Sequence, residues 1–551
     1  MILLITITIC SIEITNAFPK FDGDYVVAET DQGKLRGRID MNYWNEPFFS
    51  FEAVPYAQPP IGKLRFKAPQ PPLPWEDDIR DAVEPGPACV QFNGQGSEDC
   101  LILSIHSKME NEKLISGALR PVMVWIHGGS FKFGSISNNL YGPEFLVHEN
   151  IVLVKIQYRM NILGFLSLQN EDVGVSGNAG LKDQVMALKW VQKNIENFGG
   201  DPNQVTIFGE SAGGASTHLL YLSPMAKGLF HRVIAQSGCG LDPWVFSKVV
   251  PQKNFFEMVD CGKDDLKDVL ECLEKVPADQ LVKKQRELKF KTKQDFLVVI
   301  ENSMTEETFL SENVEAMIKQ GNFNQIPFLA GYVPQEGAFL YDKGLGMKKG
   351  NNPLKENLIP KIVNIDLNSD EAKKLNDKIK GFYFKNRNST EEIMDGYIAY
   401  LSDYAITERL YTVTKWHALK STAPVYYYKF NYDTSLNLRV KIFPQNYVTH
   451  ADDLAYLFTK NRTPKKLSET SIEMQGIKRM IKMWAQFAKT GNPNPLQFED
   501  EQYTGHVEWK PVTADNFYYL IIQPSLELAE NPEEERMKFW ENLWILESSR
   551  N

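Results

Sequence analysis

The sequence predicts an α/β fold built on a mostly parallel sheet that is covered by helices on both faces. Short, continuous apolar runs typical of buried strands recur along the chain. Segments in which apolar residues recur at helical spacing separate several of these runs. Strands that alternate with helices pack as a parallel sheet between helical layers. Functional sites of such sheets form at the carboxyl ends of the strands.

The elements follow in chain order. Residues 20–90 are rich in proline and aromatic residues and predict short strands and turns. A helix is expected over 183–197, where Val185, Leu188, Val191 and Ile195 recur on one face. Helix-rich insertions are expected over 245–320 and 340–420, as walls or a lid above the sheet edge. Central strands are predicted at 121–126, 151–156, 205–208, 233–235, 327–330 and 425–430.

Composition limits the classes of partner. The 551 residues are 43% hydrophobic and 24% charged, which is ordinary for a globular protein. The net charge of -10 disfavours binding to nucleic acid or to an anionic membrane, because both repel an acidic chain. No repeat or linker is evident. We therefore expect a single domain over residues 18–551.

The amino terminus resembles a secretory signal. Residues 2–12 form an apolar run too short for a membrane span, and Thr15, Asn16 and Ala17 offer a small-residue cleavage site. We expect a signal peptide over residues 1–17 and a secreted product without a membrane anchor. A buried amino-terminal strand is the alternative. In a secreted chain, Asn388 and Asn461 would be glycosylation sites.

The six cysteines fit an oxidising compartment. Cys89 lies near Cys100, and Cys261 lies near Cys272. Local pairing would close two small loops and leave Cys239 free, but spacing alone does not fix the connectivity. Four reduced, buried cysteines are the alternative.

The strongest catalytic signal is the pentapeptide at 209–213, with Ser211 at its centre. It follows an apolar strand and opens a helix, which is the context in which a G-x-S-x-G turn lifts a nucleophilic serine out of a sheet. The alternative is an ordinary Gly/Ser turn that caps a helix.

A serine hydroxyl needs a base, and the base needs an orienting acid. Among eight histidines, His450 is the best base, since it follows a loop and precedes a predicted helix. Asp452 or Asp453 would cap that helix. Glu336, after the strand at 327–330, is the leading acid, with Asp342 and Glu301 as alternatives.

The intermediate of acyl transfer needs preset backbone N–H donors for its oxyanion. Gly128, Gly129 and Ser130 follow the strand at 121–126 and match the glycine loop of esterases. Ala212, directly after the nucleophile, is expected to supply another N–H. An ordinary glycine-rich turn is the alternative.

These motifs, together with those at 51–57, 59–62, 64–66, 97–101, 177–184, 236–238 and 450–454, resemble the type-B carboxylesterase family across nearly the whole chain. The resemblance implies an α/β-hydrolase fold and a triad of Ser211, Glu336 and His450. It also implies Gly129, Ser130 and Ala212 as oxyanion donors, with Gly128 shaping the turn. Further implied features are disulfides Cys89–Cys100 and Cys261–Cys272, an Arg65–Glu98 ion pair, and Ser237 behind the triad.

Three departures from the family pattern are informative. Ser130 stands where Gly or Ala is common, which implies strain if the position needs a positive φ. Only ten residues separate Cys89 from Cys100 and none is Trp, whereas cholinesterases carry there a tryptophan that binds quaternary ammonium. A choline ester is therefore not expected as the dedicated substrate. Glu210 stands where insect juvenile hormone esterases usually have Gln.

We therefore expect hydrolysis of a neutral, hydrophobic carboxylic ester, such as an odorant, pheromone, dietary or xenobiotic ester, by a monomer or homodimer. No metal-ligand cluster or nucleotide-binding loop is evident, so no cofactor is expected. The alternatives are a catalytically inactive adhesion or binding protein and an esterase that sequesters organophosphates. Candidate aromatic linings of an apolar gorge are Phe131, Phe133, Trp244, Phe246, Tyr332, Phe339 and Tyr341.

Overall fold

A long twisted sheet organises the computed structural model. The structure describes residues 19–22, 25–75, 79–109, 118–247, 253–302, 305–342, 352–360, 363, 365–438, 447–495 and 507–548. The predicted signal peptide lies outside these residues. Within them, fourteen strands form one sheet. The strands are β1 Lys20–Asp22, β2 Tyr25–Thr30, β3 Gly33–Met41, β4 Pro47–Pro55, β5 Ile79–Asp81, β6 Ile102–Lys108, β7 Arg120–Ile126, β8 Val152–Ile156, β9 Gly200–Glu210, β10 Arg232–Gln236, β11 Phe328–Tyr332, β12 Val425–Phe430, β13 Tyr518–Ile522 and β14 Glu527–Glu530.

The helices of the described residues lie between and after these strands. They are α1 Asn138–Tyr141, α2 Asn161–Phe165, α3 Ala179–Asn194, α4 Ala212–Leu222, α5 Lys253–Met258, α6 Leu266–Leu273, α7 Ala278–Thr292, α8 Val314–Gln320, α9 Glu336–Asp342, α10 Asp370–Tyr383, α11 Thr390–Ser402, α12 Glu408–Lys420, α13 Ile472–Thr490 and α14 Glu534–Ser548. A π-helical turn, Asp403–Thr407, joins α11 to α12. None of the described helices is long and apolar enough to cross a membrane.

The order of the strands places the carboxyl ends of β7 and β9 at the centre. Across the sheet the order is β1, β2, β3, β4, β6, β8, β7, β9, β10, β11, β12, β13 and β14, with β5 paired to β3. The strands from β8 to β13 in this order run parallel. The chain passes from β7 to β8 on one side and then to β9 on the other side of β7. Such a reversal opens a crevice at the carboxyl ends of the strands.

The apolar run of β7 is buried on both faces, which explains its lack of alternation. Val122, Val124 and Ile126 belong to the hydrophobic core on one face of the sheet, which α3 and α4 cover. Met123 and Trp125 belong to the core on the opposite face, which α13 covers. The α/β-hydrolase prediction is therefore confirmed, with helices packed on both faces of a mostly parallel sheet.

The predicted helix at 183–197 starts too late. Helix α3 begins at Ala179, and a 3-10 turn, Ile195–Phe198, follows it. The prediction took Asp183 for the start, but its carboxylate accepts hydrogen bonds from the guanidinium and backbone N–H of Arg159 at 2.6 to 3.0 Å. A buried ion pair thus occupies the side chain that the pattern suggested as a helix start.

Both expected disulfides, Cys89–Cys100 and Cys261–Cys272, are present, and Cys239 is free and buried. Arg65 joins the two disulfide loops. Its guanidinium bonds Glu98 at 2.7 and 2.5 Å and also donates to carbonyl oxygens at the end of α6, including that of Leu273 at 3.1 Å. The expected Arg65–Glu98 ion pair is therefore part of a link between distant segments.

Candidate active site

Ser211 occupies a sharp turn between β9 and α4. Its backbone has φ 60° and ψ -121°, a combination that side chains rarely adopt. The Ser211 N–H donates to the Gln236 carbonyl at 2.9 Å, which ties the turn to β10. Ser211 is 9% exposed. The turn therefore has the geometry that presents a serine hydroxyl at the carboxyl edge of a sheet.

The glycines around Ser211 are required by close packing. A Cβ at Gly213 would lie 2.0 Å from the carbonyl oxygen of Ile126 in β7. A Cβ at Gly238 would lie 2.2 Å from the carbonyl oxygen of Ser211 itself. Because no side chain fits at these separations, the backbones of the turn and of its neighbours can approach only where glycine stands.

His450 and Glu336 form a hydrogen-bonded pair. The imidazole Nδ1 lies 2.5 Å from Glu336 Oε2, and Glu336 is fully buried. The Val333 N–H donates to the other carboxylate oxygen of Glu336 at 3.0 Å. Glu336 is the first residue of α9 rather than a loop residue, so the helix fixes its position. This is the arrangement that orients an imidazole as a base.

Glu210 approaches the other side of the same imidazole. His450 Nε2 lies 3.0 Å from Glu210 Oε1. Among the described side chains, no hydrogen bond joins Ser211 Oγ to His450. Burial alone would lower the pKa of His450, but the charges of Glu210 and Glu336 and the hydrogen bond to Glu336 raise it well above its usual value. The sequence suggested no such role for Glu210, although it lies within the pentapeptide.

The glycine loop lies against the serine turn. Gly128 approaches Glu210 so closely that a Cβ would lie 2.5 Å from the Glu210 carbonyl oxygen. Gly129 has φ 115°, and Ser130 has φ 56°. The suspected strain at Ser130 is therefore present. Ala212 begins α4 on the other side of the turn. The structure thus brings the predicted oxyanion residues to the same edge of the sheet as Ser211.

The alternative acids, and the histidine of α12, lie in other settings. Glu301 bonds Lys182 at 2.7 Å and Asn178 at 2.9 Å, so its carboxylate serves a buried ion pair. Asp342 is the last residue of α9. His417 is buried in α12, where its Nε2 lies 2.8 Å from His218 Nε2. It is therefore a packed histidine.

Asp453 belongs to a buried network that sequence reasoning missed. Its Oδ2 accepts hydrogen bonds from Gln236 Nε2 at 2.7 Å and from Tyr428 at 3.1 Å. Burial and the charge of Glu210 raise the pKa of Asp453 to about 7. Asp452 accepts from the N–H groups of Leu438 and Thr449. Neither carboxylate therefore caps the short 3-10 helix Asp453–Tyr456, contrary to expectation.

The predicted aromatic lining is only partly placed near the site. The Phe339 ring lies 5.5 Å from the His450 ring. Phe131 is buried beside Trp244, with ring centroids 6.4 Å apart. Tyr332 is fully buried and bonds Glu533 at 3.1 Å, which makes it a core residue. Phe133 is 49% exposed.

Comparison with known proteins agrees with this geometry. Residues 24–540 match the carboxylesterase family. The chain belongs to the carboxylesterase family. This carboxylesterase is 34% identical to esterase E4 of Myzus persicae over 531 residues, covering 91% of this chain and 92% of that protein. It is 32% identical to a juvenile hormone esterase of Tribolium castaneum over 502 residues, covering 85% and 84% of the two chains.

A solved structure extends the likeness to the fold. The crystal structure of juvenile hormone esterase from Manduca sexta, with OTFP covalently attached, matches this carboxylesterase with a TM-score of 0.79 and 31% identity. The match covers 94% of this chain and 99% of that chain. Family membership places the chain among the carboxylic ester hydrolases.

Two further features bear on ligands. Within the described residues, no group of three or more His, Cys, Asp or Glu side chains could hold a metal ion. A cavity of about 660 Å³ lies beside the Cys261–Cys272 disulfide, between α5, α6 and α7. It shares no lining residue with the Ser211 site, so it is a separate feature.

Proposed function

We propose that this carboxylesterase hydrolyses neutral, hydrophobic carboxylic esters through an acyl-enzyme on Ser211. The observation that carries the proposal is the alignment of His450 with Glu336, 2.5 Å apart, at the sheet edge that also holds the strained Ser211 turn. These are the parts that nucleophilic acyl transfer requires.

The reaction would proceed in two halves. His450 Nε2 takes the proton of Ser211, and the serine oxygen attacks the ester carbonyl. The N–H groups of Gly129, Ser130 and Ala212 stabilise the oxyanion, and the alcohol leaves with a proton from His450. Water, deprotonated by the same imidazole, then releases the acid from the acyl-enzyme. Glu336 orients the ring and stabilises its charged form throughout.

The preference for a neutral, apolar substrate rests on the surroundings of the site. Phe339 lies against His450, and Phe131 of the glycine loop packs against Trp244. The Cys89–Cys100 loop has ten intervening residues and no tryptophan, so it lacks the tryptophan face that would bind a quaternary ammonium. Apolar walls with few polar groups suit hydrophobic acyl or alcohol parts.

We also propose that the enzyme is secreted. The two disulfides are typical of an oxidising compartment. Asn388 and Asn461 are both exposed, as glycosylation requires. Secretion can be tested by expressing the full chain in insect cells and determining the amino terminus of the protein in the medium. Loss of a glycosidase-sensitive mass shift in Asn388→Gln and Asn461→Gln variants would identify the occupied sites.

The catalytic proposal has a direct test with a matched control. Ser211→Ala should abolish hydrolysis of a short-chain nitrophenyl ester, because it removes the nucleophile. Ser471→Ala serves as the control, since Ser471 also directly precedes a helix but lies outside the site. The control should keep full activity. Near-equal turnover by the Ser211→Ala enzyme would contradict the acyl-enzyme and favour the binding-protein alternative.

A further inference from the structure

The glycine loop contains two consecutive non-glycine residues in the left-handed region. Ser130 has φ 56°, and Phe131 has φ 58°. A residue with a side chain is strained in this region and persists there only when its surroundings hold it. These two residues lie in succession within the segment that carries the proposed oxyanion donors. Contacts from other residues are therefore needed to hold them in this conformation.

The next residue supplies a buried charge to this turn. The Lys132 ammonium donates to the Ser130 carbonyl oxygen at 3.2 Å. The Lys132 side chain is only 8% exposed, and its N–H donates back to the Gly129 carbonyl at 2.9 Å. Fixing the Ser130 carbonyl fixes the peptide plane that follows Ser130, and with it the rotation that sets the left-handed turn.

Lys132 is itself held by a charge cluster, which consists of Lys132, Asp295 and Lys289. Asp295 Oδ2 lies 3.0 Å from Lys132 Nζ and 2.9 Å from Lys289 Nζ. Asp295 is buried, whereas the Lys289 side chain is 34% exposed. Asp295 therefore anchors the ammonium on the loop from one side, and Lys289 connects the cluster to solvent.

A second chain of contacts holds the same turn from α2. Gln285 donates to Asp295 Oδ1 at 2.8 Å and accepts from the Ile162 N–H at 2.9 Å. The neighbouring Asn161 N–H donates to the Phe131 carbonyl at 2.9 Å. Helix α7, the Asp295 segment and α2 thus converge on the Ser130–Phe131 turn.

We propose that Lys132 is a positioning residue of the oxyanion hole, and that the Lys132–Asp295–Lys289 cluster holds Ser130 and Phe131 in the left-handed turn that aims the donors. The inference rests on the proposed acyl-enzyme at Ser211. Lys132 acts through the loop backbone and does not contact substrate. The ammonium form makes the stronger, charge-assisted bond to the Ser130 carbonyl.

The titration of Lys132 within this cluster should make the activity depend on pH. Burial lowers the pKa of Lys132 to about 8, with Asp295 raising it and Lys289 lowering it. These two are the charged groups that face the Lys132 ammonium. As the pH rises through this value, the ammonium loses its charge and its hold on Ser130. Activity should therefore fall on the alkaline side.

The experiment compares kcat, KM and the alkaline limb of kcat/KM for a nitrophenyl ester. Lys132→Met should lower kcat by about 10- to 100-fold with a smaller effect on KM, since misplaced donors weaken transition-state binding. Lys132→Arg keeps a charge and should restore part of kcat. Asp295→Asn should move the alkaline midpoint to lower pH, and Lys289→Met should move it to higher pH.

Lys284→Met is the matched control for Lys289→Met, because Lys284 also lies on α7 but its ammonium bonds Glu287 instead of Asp295. It should leave the alkaline limb in place. A kcat of Lys132→Met within twofold of the parent, or shifts of Asp295→Asn and Lys289→Met in the same direction, would overturn the inference. Activity that survives Ser211→Ala would instead overturn the proposed function, so the two failures are distinguishable.

Discussion

His450 Nε2 lies 3.0 Å from Glu210 Oε1, the carboxylate of the residue that precedes Ser211. The nitrogen that would accept the serine proton therefore faces a negative charge. Glu336 contacts the opposite ring nitrogen, so the imidazole lies between two carboxylates. Both raise the pKa of His450 and more than offset the effect of burial. The protonated ring is thereby stabilised, as acyl transfer requires after the proton has moved.

Glu210→Gln should move the acidic limb of kcat/KM to lower pH. The base works only when it is neutral, so activity is lost as the pH falls through the pKa of His450. Removing one of the two carboxylates lowers that pKa, and the neutral ring then persists into more acidic solution. A pH profile of nitrophenyl ester hydrolysis measures the shift.

Glu315→Gln is a suitable control for this shift, since Glu315 is exposed and pairs with Lys319. It should leave the acidic limb where it is in the parent. An unmoved limb in Glu210→Gln would mean that Glu210 does not act on the charge of His450.

Glu336→Gln should lower kcat by about 10⁴-fold while the fold is kept. The amide has the same shape but no charge, so it no longer stabilises the imidazolium and can hold the ring in the wrong tautomer. Steady-state kinetics and a urea titration separate loss of catalysis from loss of stability.

Glu301→Gln gives the opposite pattern. Its carboxylate is buried against Lys182, so its loss should destabilise the fold by about 3 kcal/mol and change kcat little. A large loss of kcat in Glu301→Gln, with Glu336→Gln active, would move the acid role to Glu301.

The fold was predictable because its signals are local. The apolar run of β7 can be recognised as a strand without its tertiary contacts, because both of its faces are buried and every residue of the run can be apolar. The turn at Ser211 was likewise predictable, because strand, glycines and helix are contiguous in the chain. The predicted start of α3 was wrong. Asp183 pairs with Arg159, which lies in a separate segment, and this partner is not evident from the local sequence.

The part of the site that sequence reasoning missed depends on distant contacts. Glu210 was available as a motif residue, but its position against His450 joins residues 240 apart in the chain. Asp295 belongs to no recognisable sequence motif. Its role is visible only in the folded structure, where it forms an ion pair with Lys132. Spacing predicts which backbone turns exist, whereas the charges around them follow from packing between segments.

Gly213→Ala should destabilise the enzyme by about 3 kcal/mol or more and remove its activity. The added Cβ would lie 2.0 Å from the Ile126 carbonyl oxygen, so α4 and the Ser211 turn must move away from β7. Urea denaturation measures the loss of stability.

Gly381→Ala is the matched change in helix α10, where an added Cβ meets nothing within 4 Å. It should raise the free energy of unfolding by up to about 1 kcal/mol, because alanine is the better helix former. Equal effects of the two substitutions would contradict the close-packing argument at Gly213.

The buried pair His218–His417 should make stability fall in acid. The Gly240 N–H donates to His218 Nδ1 at 2.9 Å, so the His218 proton resides on Nε2 and bonds His417 Nε2 at 2.8 Å. A further proton on either ring would break one of these bonds. Burial lowers the pKa of His218 to about 3, and burial lowers that of His417 well below its usual value.

The direction of this change in stability follows from which state, folded or unfolded, binds more protons. Below about pH 6.5 the unfolded chain protonates both imidazoles and the folded chain does not, so the free energy of unfolding falls with pH. His417→Gln keeps an acceptor for the His218 proton but does not titrate. Its free energy of unfolding should therefore decline less steeply between pH 6 and pH 4. Its slope should be smaller than that of the parent by about 1.4 kcal/mol per pH unit. Urea titrations at several pH values measure both slopes. At pH 8 the two slopes should coincide, and a difference that persists there would contradict a proton-linked origin.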